Sequence, residues 1–81
     1  MTREEVYERL NKVFQDVFDD ESIIVNDNTT SNDIDGWDSL IHITLIGSIE
    51  EEFRIKLSMK EVLSIKNVGE LINIIANKIL Q

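Results

Sequence analysis

The 81-residue sequence contains no cysteine and no proline, only three glycines, and eight basic residues against sixteen acidic ones. The missing thiol excludes disulfides, thiolate zinc sites and a nucleophilic cysteine. Without proline, helices can run unbroken, and their ends must be set by caps and polar clusters. The shortage of Lys and Arg leaves a net charge of −8 and excludes the basic face that a phosphate backbone requires. Anionic membrane surfaces are disfavoured for the same reason, whereas partners with basic patches gain electrostatic steering. No apolar run approaches the roughly 20 residues of a membrane span, and the charged start Met1-Thr2-Arg3-Glu4-Glu5 does not resemble a signal peptide. A cytoplasmic monomer with no membrane or nucleic-acid partner is therefore expected.

What remains is a globular composition, with 42% hydrophobic and 30% charged residues, too apolar for a disordered acidic tail. The length suits one domain over residues 1–81, with a thin core that leaves little depth for a buried multi-residue active site.

Apolar spacing predicts an all-α fold with three longer helices and one short one. Val6, Leu10, Val13 and Val17, flanked by Tyr7, Phe14 and Phe18, keep a 3.6-residue period and predict a first helix over about 3–18. Asp19, Asp20 and Glu21 oppose the negative end of a helix and should stop it. A long polar connection over 19–37 follows, with apolar pins expected at Ile23, Ile24, Val25 and Ile34. A second helix is predicted from Asp38 or Ser39 to about Arg54, with Leu45, Ile49 and Phe53 facing the core and Ile46 beside them. Ser58 followed by Glu61 is a capping-box pattern and opens a short third helix to about Leu63. The last helix is marked by Val68, Leu71, Ile72, Ile75 and Ile79.

Charge is unevenly spread along this layout. Residues 1–53 hold fourteen acids against three bases, and residues 54–81 hold two acids against five bases. An acidic surface on the first two helices and their connection is expected, either merely solvated or a docking face for basic partners.

The stretch Ile34-Asp35-Gly36-Trp37-Asp38-Ser39-Leu40 is the most informative. It places a serine where a glycine-containing loop meets a helix N-terminus, whose free N–H groups and positive potential favour an attached anion. Either Asp38 or Ser39 serves equally well as an ordinary N-cap. Catalysis is not expected here. Gly36 stands three before Ser39, where a nucleophile elbow needs two, and Asp38, Ser39 and His42 lack a pocket and an oxyanion hole. Ser31, Asp33, Asp35 and Gly36 follow the spacing of a calcium loop, but its twelfth position falls on His42 instead of Glu, so no metal site is expected. Leu40, Ile41 and Ile43 lie off the core stripe. With Gly47, which inside a helix often marks a close approach, and the acidic Glu50 and Glu51, they form either a docking face or a second buried face.

Taken together, the chain resembles an acyl carrier protein. The likeness rests on Gly36, on Asp38-Ser39-Leu40 at the start of the second helix, and on Glu50-Glu51-Glu52-Phe53 at its end, with the long first loop and short third helix beside them. It implies a four-helix bundle that is a carrier and not an enzyme. It also implies 4′-phosphopantetheine attached covalently to Ser39, with Gly36, Asp38 and Leu40 around the attachment point. A phosphopantetheinyl transferase would load the arm from coenzyme A, and acyl-loading and acyl-using enzymes with basic patches would dock on the second helix. By that likeness Leu40, Ile41, Ile43, Gly47, Glu50 and Glu51 face partners. Leu45, Ile49 and Phe53 would bound a small acyl-accepting cleft against Val68, Leu71 and Ile75. Fatty-acyl and polyketide cargoes fit this picture, with an aminoacyl or peptidyl carrier as the alternative, or, in a different class, an unmodified acidic adaptor or metal-sensing domain. Gly36-Trp37-Asp38-Ser39-Leu40 is similar to carriers of dedicated or secondary pathways, and Ile41 and Thr44 replace positions often acidic in the fatty-acid type.

Overall fold

A computed structural model describes residues 1–79 and shows four helices: α1 (Arg3–Val17), α2 (Ser39–Phe53), α3 (Met59–Ser64) and α4 (Val68–Ile79), with one 3₁₀ turn at Ser31–Asp33. Helix α1 starts with a capping box that the apolar period did not reveal. Thr2 Oγ1 accepts from the Glu5 N–H at 3.2 Å, and the Glu5 carboxylate accepts from the Thr2 N–H at 3.1 Å. Its other end closes where the acidic cluster begins. Asp19 takes the left-handed conformation (φ 51°), and the Asp20 N–H reaches back to the Gln15 carbonyl at 3.0 Å, which satisfies carbonyls that would otherwise be orphaned.

The core is the meeting of α1, α2 and α4. Leu10 and Phe14 of α1, Leu45 and Ile49 of α2, and Val68, Ile72 and Ile75 of α4 are fully buried. Val6, Val13, Val25, Ile46, Phe53 and Leu71 complete the same cluster. Phe14, expected beside the α1 stripe, lies at its centre, while Val17 is only half-buried. Burying a side chain of this size contributes about 1.5–3 kcal/mol, so these positions carry the fold.

Residues 18–38 connect α1 to α2 and are held mainly by polar side chains meeting backbone. Asn11 Oδ1 accepts from the Val25 N–H at 2.7 Å, and Gln15 Nε2 donates to the Ile23 carbonyl at 2.9 Å. Val25 alone of the expected pins is buried; Ile23 and Ile34 are half-buried, and Ile24 is 76% exposed. Ile24 stands between two neighbours fixed to α1 and is turned outward by the alternation of an extended segment. The connection also terminates α4. The first N–H groups of that helix donate to the Thr29 and Asp27 carbonyls at 2.9 and 3.0 Å, so two orphan donors of α4 are paired by the loop. Asp27 is gripped in turn by the Tyr7 hydroxyl and by Arg3 Nη2 at 2.9 Å, and the Arg3 guanidinium also covers the Tyr7 ring.

Helix α3 opens with the expected box between Ser58 and Glu61. Glu61 also pairs with Lys78 of α4 at 3.1 Å, which ties the short helix to the bundle. No helix among the described residues is long and apolar enough to cross a membrane.

Candidate functional site

Ser39 is the first residue of α2, and its neighbour takes the capping role. Asp38 adopts extended backbone, and its carboxylate accepts from the Ile41 N–H at 2.8 Å, so the helix is capped by Asp38 and not by the serine. The Ser39 side chain is exposed, and its hydroxyl has no hydrogen-bond partner among the described residues. The N–H groups of Ser39 and Leu40 likewise find no acceptor among those residues, which leaves two donors facing outward at the positive end of the helix. Gly36, two residues before the cap, has φ +85°, and this left-handed conformation lets the chain turn so that the Trp37 N–H closes on the Ile34 carbonyl at 3.3 Å. The glycine thus aims the chain into the helix.

Below Ser39 an open groove of about 720 Å³ runs between α2 and α3. Ser39, His42, Ile43, Ile46 and Glu50 line one wall on successive turns of α2, and Val62, Leu63 and Ile65 line the other. The opening is mostly apolar. It does not lie at the expected cleft between Leu45 or Ile49 and Leu71 or Ile75, because those side chains interdigitate and are closed to solvent. A larger opening is therefore offered one face further round α2.

Of the remaining sequence candidates, Leu40 and Ile43 are 76% and 69% exposed, Gly47 and Glu51 are exposed, and Ile41 and Glu50 are half-buried. The off-stripe apolar residues therefore form an exposed face over most of their number, continued across the groove by Met59 and Leu63. Gly47 has open space where a Cβ would stand, so nothing among the described residues approaches it. The Glu50 carboxylate is engaged internally, accepting from the Leu57 N–H at 2.8 Å and holding the α2–α3 connection against the groove.

The Asp38, Ser39 and His42 set does not form a charge relay. Asp38 is committed to the cap, and His42 Nδ1 accepts from the Trp37 Nε1–H at 3.0 Å. His42 is half-buried and fixed by Trp37. The signal for this pair was the placing of two ring side chains on either side of the cap, five residues apart. Asp33 of the calcium-like stretch accepts from the Thr30 N–H at 2.9 Å as part of the 3₁₀ turn, and no cluster among the described residues gathers ligands for a metal.

Comparison with known proteins agrees with this geometry. The family model for the phosphopantetheine attachment site matches residues 8–75. Among solved structures, the solution NMR structure of a holo acyl carrier protein from Geobacter metallireducens is similar, with 41% identity, coverage of 93% of this chain and 86% of that one, and a TM-score of 0.87. Comparison with curated proteins gave no match. The family model spans most of the chain, and the four helices superpose on that carrier almost throughout. The chain therefore belongs to the phosphopantetheine-binding acyl carrier proteins, which are carriers and not enzymes.

Proposed function

We propose that Ser39 is the residue that bears the phosphopantetheine arm and that the chain shuttles acyl groups between enzymes of fatty-acid, polyketide or related biosynthesis. One observation carries this reading: Asp38 takes over the cap, leaving the Ser39 hydroxyl exposed and unpaired at a helix N-terminus, beside a groove. The residues present fit the group. Two free backbone N–H groups suit a phosphodiester, and the adjacent groove is apolar, as an acyl chain requires.

Loading is a phosphoryl transfer in which the Ser39 oxygen forms a bond to the β-phosphorus of coenzyme A and 3′,5′-ADP leaves. The hydroxyl proton passes to a base on the transferase. The chain contributes an accessible nucleophile and a helix end that stabilises the new anion. The bound group supplies a thiol that carries cargo as a thioester, so a chain without cysteine cannot divert that cargo to itself. Tethering turns successive encounters with enzymes into local ones. Leu40, Ile43 and Gly47, with Glu51 beyond them, offer an apolar docking face with an acidic edge, suited to basic patches on the transferase and on acyl-handling enzymes. The apolar walls of the groove favour an acyl over an aminoacyl cargo.

Incubation with coenzyme A and a promiscuous phosphopantetheinyl transferase tests the reading. The intact mass is expected to rise by one phosphopantetheine in the wild type and to stay unchanged in Ser39→Ala. An unchanged wild-type mass, with the transferase active on a control carrier, would support the unmodified adaptor instead.

A further inference from the structure

The head of the groove holds a pair of side chains that attachment alone does not require. Trp37 is fixed from behind by α1 and the residue that caps its end, where its ring meets Phe14 edge-on at 5.3 Å and Phe18 at 6.0 Å between centroids. From that anchored position its Nε1–H donates to His42 Nδ1 at 3.0 Å, with the two rings 5.9 Å apart and inclined by only 23°. An indole nitrogen can only donate, so Nδ1 must accept, and the proton of the neutral imidazole then sits on Nε2. One of two tautomers is selected. The Nε2–H has no acceptor among the described residues, although His42 is half-buried and lines the groove.

His42 follows Ser39 by three residues within α2, so the two side chains lie on one face, a single turn apart. An anion attached at Ser39 meets the free N–H groups of Ser39 and Leu40 at the helix end, with the imidazole next along the groove wall. Backbone donors at a helix end hold such an anion but leave the direction of its substituent open. A neutral donor one turn further in supplies that direction without adding charge.

We propose that His42, held in its Nε2–H tautomer by Trp37, donates a hydrogen bond to the phosphodiester on Ser39 and so directs the arm into the groove between α2 and α3. The inference rests on Ser39 being the attachment residue. His42 is a positioning residue in this scheme, and Trp37 acts through it.

The test uses the full-length holo protein and its ³¹P resonance, read as a displacement from the same protein in denaturant. The wild type is expected to show a clear displacement, most of which His42→Ala removes. His42→Gln should retain part of it, because the amide nitrogen of Gln lies near the place of imidazole Nε2. Trp37→Phe, which keeps an aromatic ring against Phe14 and Phe18, should diminish it by releasing the tautomer. Lys12→Ala, at an exposed position on α1, should leave it unchanged. Long-range ¹H–¹⁵N spectra of the wild type should show Nε2 protonated and Nδ1 bare, with the Nε2 resonance shifting on loading. This wild-type comparison stands even if His42→Ala fails to fold. A ³¹P resonance indifferent to His42 substitution in a loaded, folded protein, or an Nε2 resonance unmoved by loading, overturns the role of His42 and leaves the attachment intact. Failure of the wild type to accept the arm overturns both.

Discussion

Two glycines in helices should respond to the same substitution with opposite signs. At Gly47, inside α2, an added Cβ meets nothing within 4 Å, so Gly47→Ala gains helix propensity and reduces the freedom of the unfolded chain at no steric cost. That gain is about 0.5–1 kcal/mol. For a domain of this size it raises Tm by about 2–8 °C. At Gly69, in the first turn of α4, the same Cβ would stand 2.9 Å from the Asp27 carbonyl oxygen and 3.2 Å from the Asp27 Cβ. These are the atoms whose carbonyl accepts the Gly69 N–H at 3.0 Å. The loop cannot yield without lengthening that bond and loosening the grip of Arg3 and Tyr7 on Asp27. Overpacking of this kind costs about 1–3 kcal/mol, more than the propensity gain in a first turn, so Gly69→Ala should lower Tm, by up to about 4–24 °C before that gain is subtracted. Thermal unfolding followed by circular dichroism at 222 nm reads both variants. If Gly47→Ala is neutral or destabilising, or Gly69→Ala is stabilising, the packing described around these helices is wrong. Under the proposed docking face, Gly47→Ala also slows transferase loading although it stabilises the fold.

Other predictions concern charge. Tyr7, the only tyrosine, has its hydroxyl pushed up from 10.0 to about 12 by desolvation and then by the bond to Asp27. The folded value is the raised one, so this contribution to stability is complete below pH 10 and is lost as pH climbs toward 12. Phenolate absorbance should therefore titrate near 12, and earlier in Asp27→Asn; an ordinary midpoint in the folded wild type would refute the contact. At the acid end, the Tyr7 hydroxyl first and then Arg3 hold Asp27 below the usual carboxylate range. Its stabilising effect is present above that range and lost as pH falls through the depressed value, so Asp27→Asn should show a shallower decline of Tm with acid than the wild type. With fourteen acids against three bases in residues 1–53, added salt or Mg²⁺ should raise Tm by screening repulsion. A Tm flat from low to moderate salt contradicts that.

The long helices were legible because their apolar residues recur on one face; Leu10, Leu45, Ile49, Leu71 and Ile75 fall in the core as the spacing predicts. The third helix was legible from its capping box alone. What escaped the sequence lies where polar side chains meet distant backbone. The bond from Asn11 to Val25, the pairing of the α4 N-terminus with Asp27 and Thr29, and the need for glycine at 69 depend on how the loop folds back over two helices. Local chemistry admitted either Asp38 or Ser39 as the cap, and only the three-dimensional arrangement assigns that task to Asp38. Trp37 and His42 were visible as residues but not as a pair, because their rings meet across the turn into α2. The expected cleft was displaced for a related reason: core side chains fill their own interface, and the opening falls where the short α3 leaves α2 uncovered.

Fragmentation of the transferase-loaded protein in a mass spectrometer addresses the central claim most directly, because it reads which side chain bears the arm. The account predicts that a pantetheine fragment is ejected and that the residual phosphate mass maps to Ser39 alone. An arm located on any other hydroxyl, such as that of Ser31 or Ser48, would contradict it.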